Sequence, residues 1–293
     1  MSWTLYRWTW ALESPLHIGA TPAGSLNRCR LYVPARVLWG ALAAELARQQ
    51  TPEFPDYRTV GDRLRKEARF TYLFPAEEVV GKWYAWLPAY EEGGGLVWRR
   101  EDTGKEASKS FEREFRRWLF WAWPSTAIDP QSDTASEGTL RETECLNTRW
   151  RGKDGTAGSQ VAMVGYVFLH DGSDLRNELD KFVQITVGGD IRYGYGRLRR
   201  IGMDPATGVF DLMADPQGLD PMVHGRTVYA HANDGAKPSL AGDREVLVGW
   251  DMASGGCLSA MAGSPLWRPG SHTSNGSAVA WKVMPNGLWE IVP

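Results

Sequence analysis

"VGGDIRYGYGRLRR", residues 187–200, sets four glycines, two tyrosines and four arginines beside a single acid. What flanks this stretch decides how it is read. Upstream, Leu175, Leu179, Phe182 and Val183 recur at helical spacing behind a cap at Ser173 or Asp174, which predicts a helix over 174–184. Downstream, "GRLRRIGM" (196–203) alternates like a strand and stops at Asp204-Pro205. The loop therefore follows a helix and opens a strand. A dinucleotide-binding glycine loop does the reverse, and the chain offers no GKS or GKT for a phosphate-cradling P-loop. What remains is simpler physics. Glycines let a sugar-phosphate chain approach main-chain N–H groups, Arg192, Arg197, Arg199 and Arg200 can neutralise phosphates, and Tyr193 and Tyr195 can stack on unpaired bases. A glycine-rich turn with solvated arginines accounts for the same residues equally well.

Working outward, "VAMVGYVFL" (161–169) is an apolar run of strand length, broken by "HDGS" before the helix. The same order of elements opens the chain. "WTLYRWTWAL" (3–12) reads as a strand, Pro15, Gly19, Pro22 and Gly24 mark a long loop, and a helix over 34–49 begins at Pro34, with Val37, Leu38, Ala41, Leu42 and Leu46 on one face. Two strand–helix units, each with one further strand, predict an α+β fold with a ferredoxin-like (RRM-like split βαβ) core. Its strands are expected at 3–12, at two places within 80–169, and at 196–203.

Residues 51–150 exceed what that core needs and form a large insertion between the first helix and the later strands. They hold a basic segment "YRTVGDRLRKEAR", a strand "GKWYAWLPAY", an amphipathic helix "SFEREFRRWLFWAW" with Phe111, Phe115, Trp118 and Leu119 on one face, and the turn-rich "PSTAIDPQSDTASEG". After Asp204, short apolar pieces alternate with Gly, Pro, Ser and Asn. The expected division is a ferredoxin-like domain over 1–203 and a small β-rich domain over 204–293.

Across 293 residues, 43% hydrophobic and 23% charged content is that of an ordinary globular protein, but fifteen tryptophans are unusual; most read as core or interface mass. A net charge of −2 gives no global basic field. Residues 201–293 carry five Lys+Arg against nine Asp+Glu and the preceding two hundred carry 28 against 26, so a nucleic-acid surface must be a local patch in the first two thirds. Three scattered cysteines and five unclustered histidines point to no zinc knuckle, disulfide framework or metal site, and no cofactor is expected. The N-terminal segment lacks a secretory pattern and no apolar run reaches membrane-spanning length, so a cytoplasmic protein with no membrane partner is expected.

The second candidate for chemistry is the loop "PLHIGATPAGSLNRCRLYVPAR" (15–36). In a ferredoxin-like core it lies at the same rim as the glycine-rich loop, which would bring His17, Asn27, Arg28, Arg30 and Arg36 beside Gly188, Gly189, Arg192, Tyr193, Gly194, Tyr195, Gly196 and Arg197. Arg36, in the first helical turn, suits an anion better than it suits the helix. His17 could serve as a base for RNA cleavage, but no second catalytic partner is evident and no nucleophile elbow is present.

Two passages together carry a family resemblance. "ESPLHIGATPAGSLNRCRLYVPARVLWGALAAELA" (13–47) resembles the N-terminal segment, and "VGGDIRYGYGRLRR" the glycine-rich loop, of the RAMP superfamily, the ferredoxin-like RNA-binding subunits of CRISPR effector complexes. Target-cleaving backbone subunits of that superfamily carry an aspartate in the first loop, whereas residues 19–33 here contain neither Asp nor Glu. "PLWRPGS" (265–271), in the C-terminal region, is similar to the subunits that grip the 5′ handle of the guide RNA in type III-D and type VII complexes. The resemblance implies a non-catalytic subunit that binds the crRNA 5′ handle and caps a line of backbone subunits, with target RNA and an associated nuclease or large subunit as further partners. The alternatives are a backbone subunit that has lost its cleavage aspartate, a repeat-processing endoribonuclease using His17, and a protein-binding adaptor with Trp-rich faces.

Overall fold

The protein is described by a computed structural model covering residues 2–102, 108–152, 157–233, 238–251 and 257–292. Its centre is β1 (Trp3–Leu12), whose aromatic-rich alternation leaves only Thr4 exposed because neighbours cover it on both edges. One neighbour is Ala162–His170, antiparallel in a register running from Trp3↔His170 to Ala11↔Ala162. The other is Arg197–Pro205, antiparallel, with a bulge at Thr9/Trp10.

The first helix follows as α1 (Ala35–Gln50), burying Leu38, Leu42 and Leu46. It is followed by α2 (Tyr57–Glu67), capped by Asp56, which accepts from Thr59 N at 3.0 Å. Then come β2 (Ala68–Phe70) and β3 (Phe74–Val79), both paired to the long strand at 162–170. The sheet continues outward through β4 (Lys82–Glu91), β5 (Gly95–Arg100) and β6 (Lys109–Phe111). Next are α3 (Glu112–Leu119), β7 (Phe120–Ser125) and β8 (Arg141–Leu146), and then the core strand β9 (Ala162–His170). The core closes with α4 (Leu175–Leu179), β10 (Gln184–Thr186) and β11 (Arg197–Pro205). The order β11-β1-β9-β2/β3 is that of a split βαβ ferredoxin-like sheet, so the expected fold class holds.

Three sequence expectations shift. Only one of the two strands expected within 80–169 lies there as a core strand; its partner is the earlier 68–79 segment. The Thr71 hydroxyl accepts from Tyr166 N at 2.8 Å and splits that partner into β2 and β3, which hides its period. "SFEREFRRWLFWAW" is helical only over Glu112–Leu119, and "FWAWPS" is a strand paired to β8, because aromatic residues before Pro124 favour extended backbone. Phe111 accordingly falls outside α3 and is exposed. The helix expected over 174–184 spans 175–179; Phe182 still packs inward, but Val183 is exposed.

Beyond Pro205, a second antiparallel sheet joins Gly208–Val209, Leu212–Asp215, Met222–Gly225, Val279–Val283 and Trp289–Ile291. Val223, Trp281 and Trp289 of this sheet share one apolar cluster with Trp3, Trp8 and Phe74. The buried Arg69–Asp220 ion pair, at 2.6 Å, ties the two regions as well. The core therefore runs through residue 204 without a break. No helix among the described residues is long and apolar enough to cross a membrane.

Candidate nucleic-acid interface

The two candidate loops meet. Gly189 N donates to His17 O at 2.9 Å and Gly196 N to Pro15 O at 2.8 Å, while Arg197 N donates to Ser14 Oγ at 2.9 Å. Glycine is required at the contact. A Cβ on Gly188, at φ +86°, would lie 2.4 Å from His17 O, and one on Gly196, at φ +80°, 1.9 Å from Val187 O. These two glycines let protein backbone approach protein backbone. Gly194, also at positive φ, faces open space and forms the exposed turn.

Residues 19–32 form a tongue, a hairpin closed by Ala20 N to Arg28 O at 2.9 Å and Arg30 N to Ile18 O at 2.8 Å, with an exposed tip at 21–25. Its base is fixed by a buried polar network. Arg30 pairs with Glu245 and donates from Nε to Gly19 O at 3.1 Å, Tyr32 OH donates to Glu245 at 2.9 Å, and His231 lies between Tyr72 OH and Glu245, 2.7 Å from each. Burial opposes the Arg30 charge, but Tyr32 and Glu245 outweigh it and hold its pKa above the ordinary value. Burial also opposes the Glu245 charge, and the bonds from His231 and Arg30 reverse the balance, holding its carboxyl well below the usual range. For His231 burial wins, and its pKa falls below 6.5.

The sequence-predicted residues divide accordingly. Arg30 is buried and committed to Glu245, so it is not the solvent-facing phosphate contact expected of it. His17 is buried, with Nδ1 2.7 Å from Glu144 O; a carbonyl can only accept, so Nδ1 carries the proton there. Asn27 lies in a two-residue strand paired to Thr143 of β8. Arg36 packs against Gly249 on the hairpin of Val248–Asp251 and Cys257–Ala260. Of the four arginines at 192–200, Arg199 pairs with Glu13 at 2.8 Å and Arg200 binds Asp180 Oδ1 at 3.2 Å and the Leu179 and Asp180 carbonyls. Only Arg192 and Arg197 are exposed and without an ion pair among the described residues. Tyr193 is 67% exposed, and the Arg141 guanidinium of β8 sits 5.3 Å from its ring. Tyr195 is half-buried.

Beside the docked loops runs a groove of ≈ 1350 Å³. Its walls are the tongue, Gly188 and Gly189, the faces of α1 and α2, and the paired strands Val248–Asp251 and Cys257–Ala260. Arg36, Arg58 and Arg65 supply positive charge there against Asp56 and Asp62, the latter 3.5 Å from Arg65, and Trp39 and Tyr57 supply rings. Arg65 lies 4.2 Å from the Trp39 ring, and Tyr57 is half exposed. Sequence reasoning found the basic segment but not its place, because only the packing of α2 on α1 brings it to the tongue. Arg192, Tyr193 and Asn27 do not line this groove; Tyr193 and Asn27 stand toward β8.

Burial pushes the Cys29 thiol up to about 12 and the Cys145 thiol up to about 11, so neither is a ready thiolate. Among the described residues no group of three or more His, Cys, Asp and Glu side chains is placed to hold a metal ion.

No protein-family model matches the chain, and neither does any curated protein. Solved structures do. A chain of "Cryo-EM structure of the Type III-B Cmr-beta bound to cognate target RNA and AMPPnP, state 1" superposes with a TM-score of 0.53 at 12% identity, over 91% of this chain and 84% of that one. The chain shares that fold. Chains of two further Type III-B Cmr-beta structures, one bound to cognate target RNA and one in the apo state, match at 13% and 14% identity with TM-scores of 0.41. Each covers 67% of this chain and 96% of its own.

Proposed function

We propose that the protein is an RNA-holding subunit of a CRISPR effector complex, which grips the repeat-derived 5′ handle of the guide RNA and does not cut RNA. The observation that carries this reading is the docking of the glycine-rich loop onto the base of the tongue, beside a groove lined by arginines and by the Trp39 and Tyr57 rings. Such a surface suits a single strand, whose phosphates need positive charge and whose unpaired bases need flat partners. The RAMP resemblance of the same two loops, and the fold shared with a Type III-B Cmr-beta chain, support the assignment to this class of complex. Absence of any acid from residues 19–33 supports the non-cleaving role. The chain sits at the end of a line of backbone subunits, one copy per complex.

Filter binding of repeat-derived RNA at two salt concentrations tests this. Arg58→Ala with Arg65→Ala is expected to weaken binding by about tenfold or more and to flatten the salt dependence by about two units of slope, at roughly one per lost phosphate contact. Unchanged affinity and slope would overturn the reading. Native mass spectrometry of the assembled ribonucleoprotein reads the copy number, and several copies would turn the assignment to a backbone subunit.

A further inference from the structure

The tongue has a second side. Across it from the groove lies a cleft of ≈ 430 Å³, floored by Arg30, Leu31 and Tyr32 and walled by Arg28, by Arg113 and Arg116 of α3, and by Arg268. The size falls within the range of small-molecule pockets. Five guanidinium groups line it against two carboxylates, Glu112 and Glu245.

Protein partners satisfy this charge only in part, among the described residues. Arg30 is answered by Glu245, and Arg116 by Glu144 at 2.7 Å. Arg28 and Arg113 are exposed and have no ion-pair partner among the described residues. Arg268 makes only long ion pairs, at 3.8 Å to Glu112, 3.6 Å to Asp243 and 3.7 Å to Glu245. Its Nε is buried with no hydrogen-bond partner. An oxyanion with several acceptor oxygens would answer the exposed Arg28 and Arg113 guanidinium groups, whose forks match phosphate geometry closely.

We propose that this cleft is a binding site for a phosphate monoester of nucleotide size. A free nucleotide and the terminal phosphate of an RNA strand offer the same chemistry. The site goes beyond the groove and does not need it, although both share the tongue residues Ala20, Thr21 and Arg30.

Isothermal titration of the full chain tests the proposal, with AMP, adenosine, and an RNA hexamer carrying a phosphate at its 5′ end, at its 3′ end or at neither. AMP is expected to bind and adenosine not. If the natural source is a strand terminus, one phosphorylated hexamer binds more tightly than the unphosphorylated one and competes with AMP; if it is a free nucleotide, AMP binds and neither terminus adds affinity. Arg28→Ala with Arg113→Ala removes two exposed, unpaired side chains. It should weaken AMP at least tenfold, as expected for losing charged hydrogen bonds, with no change in melting temperature. No saturable binding of AMP or of either phosphorylated hexamer beyond its unphosphorylated counterpart, or AMP binding unchanged in the double variant, overturns the cleft. Binding of the unphosphorylated hexamer reports on the groove alone, so the two readings fail separately.

Discussion

The two sides of the tongue differ in kind. The groove is largely apolar, with four arginines, Arg30 among them, along walls made by the tongue, α1, α2 and the strands Val248–Asp251 and Cys257–Ala260. The cleft is about a third of its volume and concentrates five arginines, of which Arg28 and Arg113 are exposed and without an ion pair among the described residues. A single polypeptide hairpin separates them, and Arg30 at its base belongs to both. The difference teaches that positive charge near a loop is not one property. Spread along a channel beside rings, it suits an extended strand; concentrated in a pocket, it suits one group.

The strongest way to break this comparison is to undock the glycine-rich loop. Gly196→Val places a branched side chain at positive φ against Val187 O and should cost about 4 kcal/mol or more, measured by urea denaturation. If the protein still folds, groove binding should suffer far more than cleft binding, because Gly188 and Gly189 line only the groove. Next is Glu245→Ala, which strands Arg30 without its buried partner and should cost about 3 kcal/mol. Since Arg30 and Glu245 fix the base of the tongue that both sites share, RNA and phosphate binding should weaken together; loss of only one would show that the tongue is not their common wall.

Acid tests the same network. His231 has a depressed folded pKa, so its contribution is complete above the unfolded value of 6.5 and is lost as pH falls through the folded one. Glu245 follows the same sign from 4.5 downward. The thermal midpoint should therefore drop between pH 7.5 and 5 and fall further below 4.5, and Glu245→Gln should flatten the lower part of that profile. A midpoint flat from pH 7.5 to 4 would remove the network from the account of tongue rigidity.

Smaller effects sharpen the contrast. Tyr57→Ala removes a half-exposed ring from the groove and should weaken RNA by about 1–2 kcal/mol with no effect on AMP. Arg192→Ala, on neither side of the tongue, should change RNA affinity by less than about 1 kcal/mol unless the strand continues toward β8 and Tyr193.

Much of this was legible beforehand, and the residues show why. The aromatic alternation of 3–12, the helical face of 35–50 and the punctuation around 187–196 are local patterns, and they predicted β1, α1 and the shared rim. The core strand at 68–79 was missed because Thr71 interrupts its pairing to β9 and a basic helix precedes it. "FWAW" was read as helix because an apolar run of four carries no period of its own.

By itself, the sequence determined the ferredoxin-like core and the meeting of two bends at one edge, since strand order follows from hydrophobic period and chain connectivity. It also supplied the arginines. Which of them face a ligand was decided only in three dimensions. Arg30, Arg199 and Arg200 found carboxylates on distant or adjacent elements, whereas Arg28, Arg113 and Arg192 did not among the described residues. Charge pairing is a contact between segments far apart in the chain, and no local pattern encodes it.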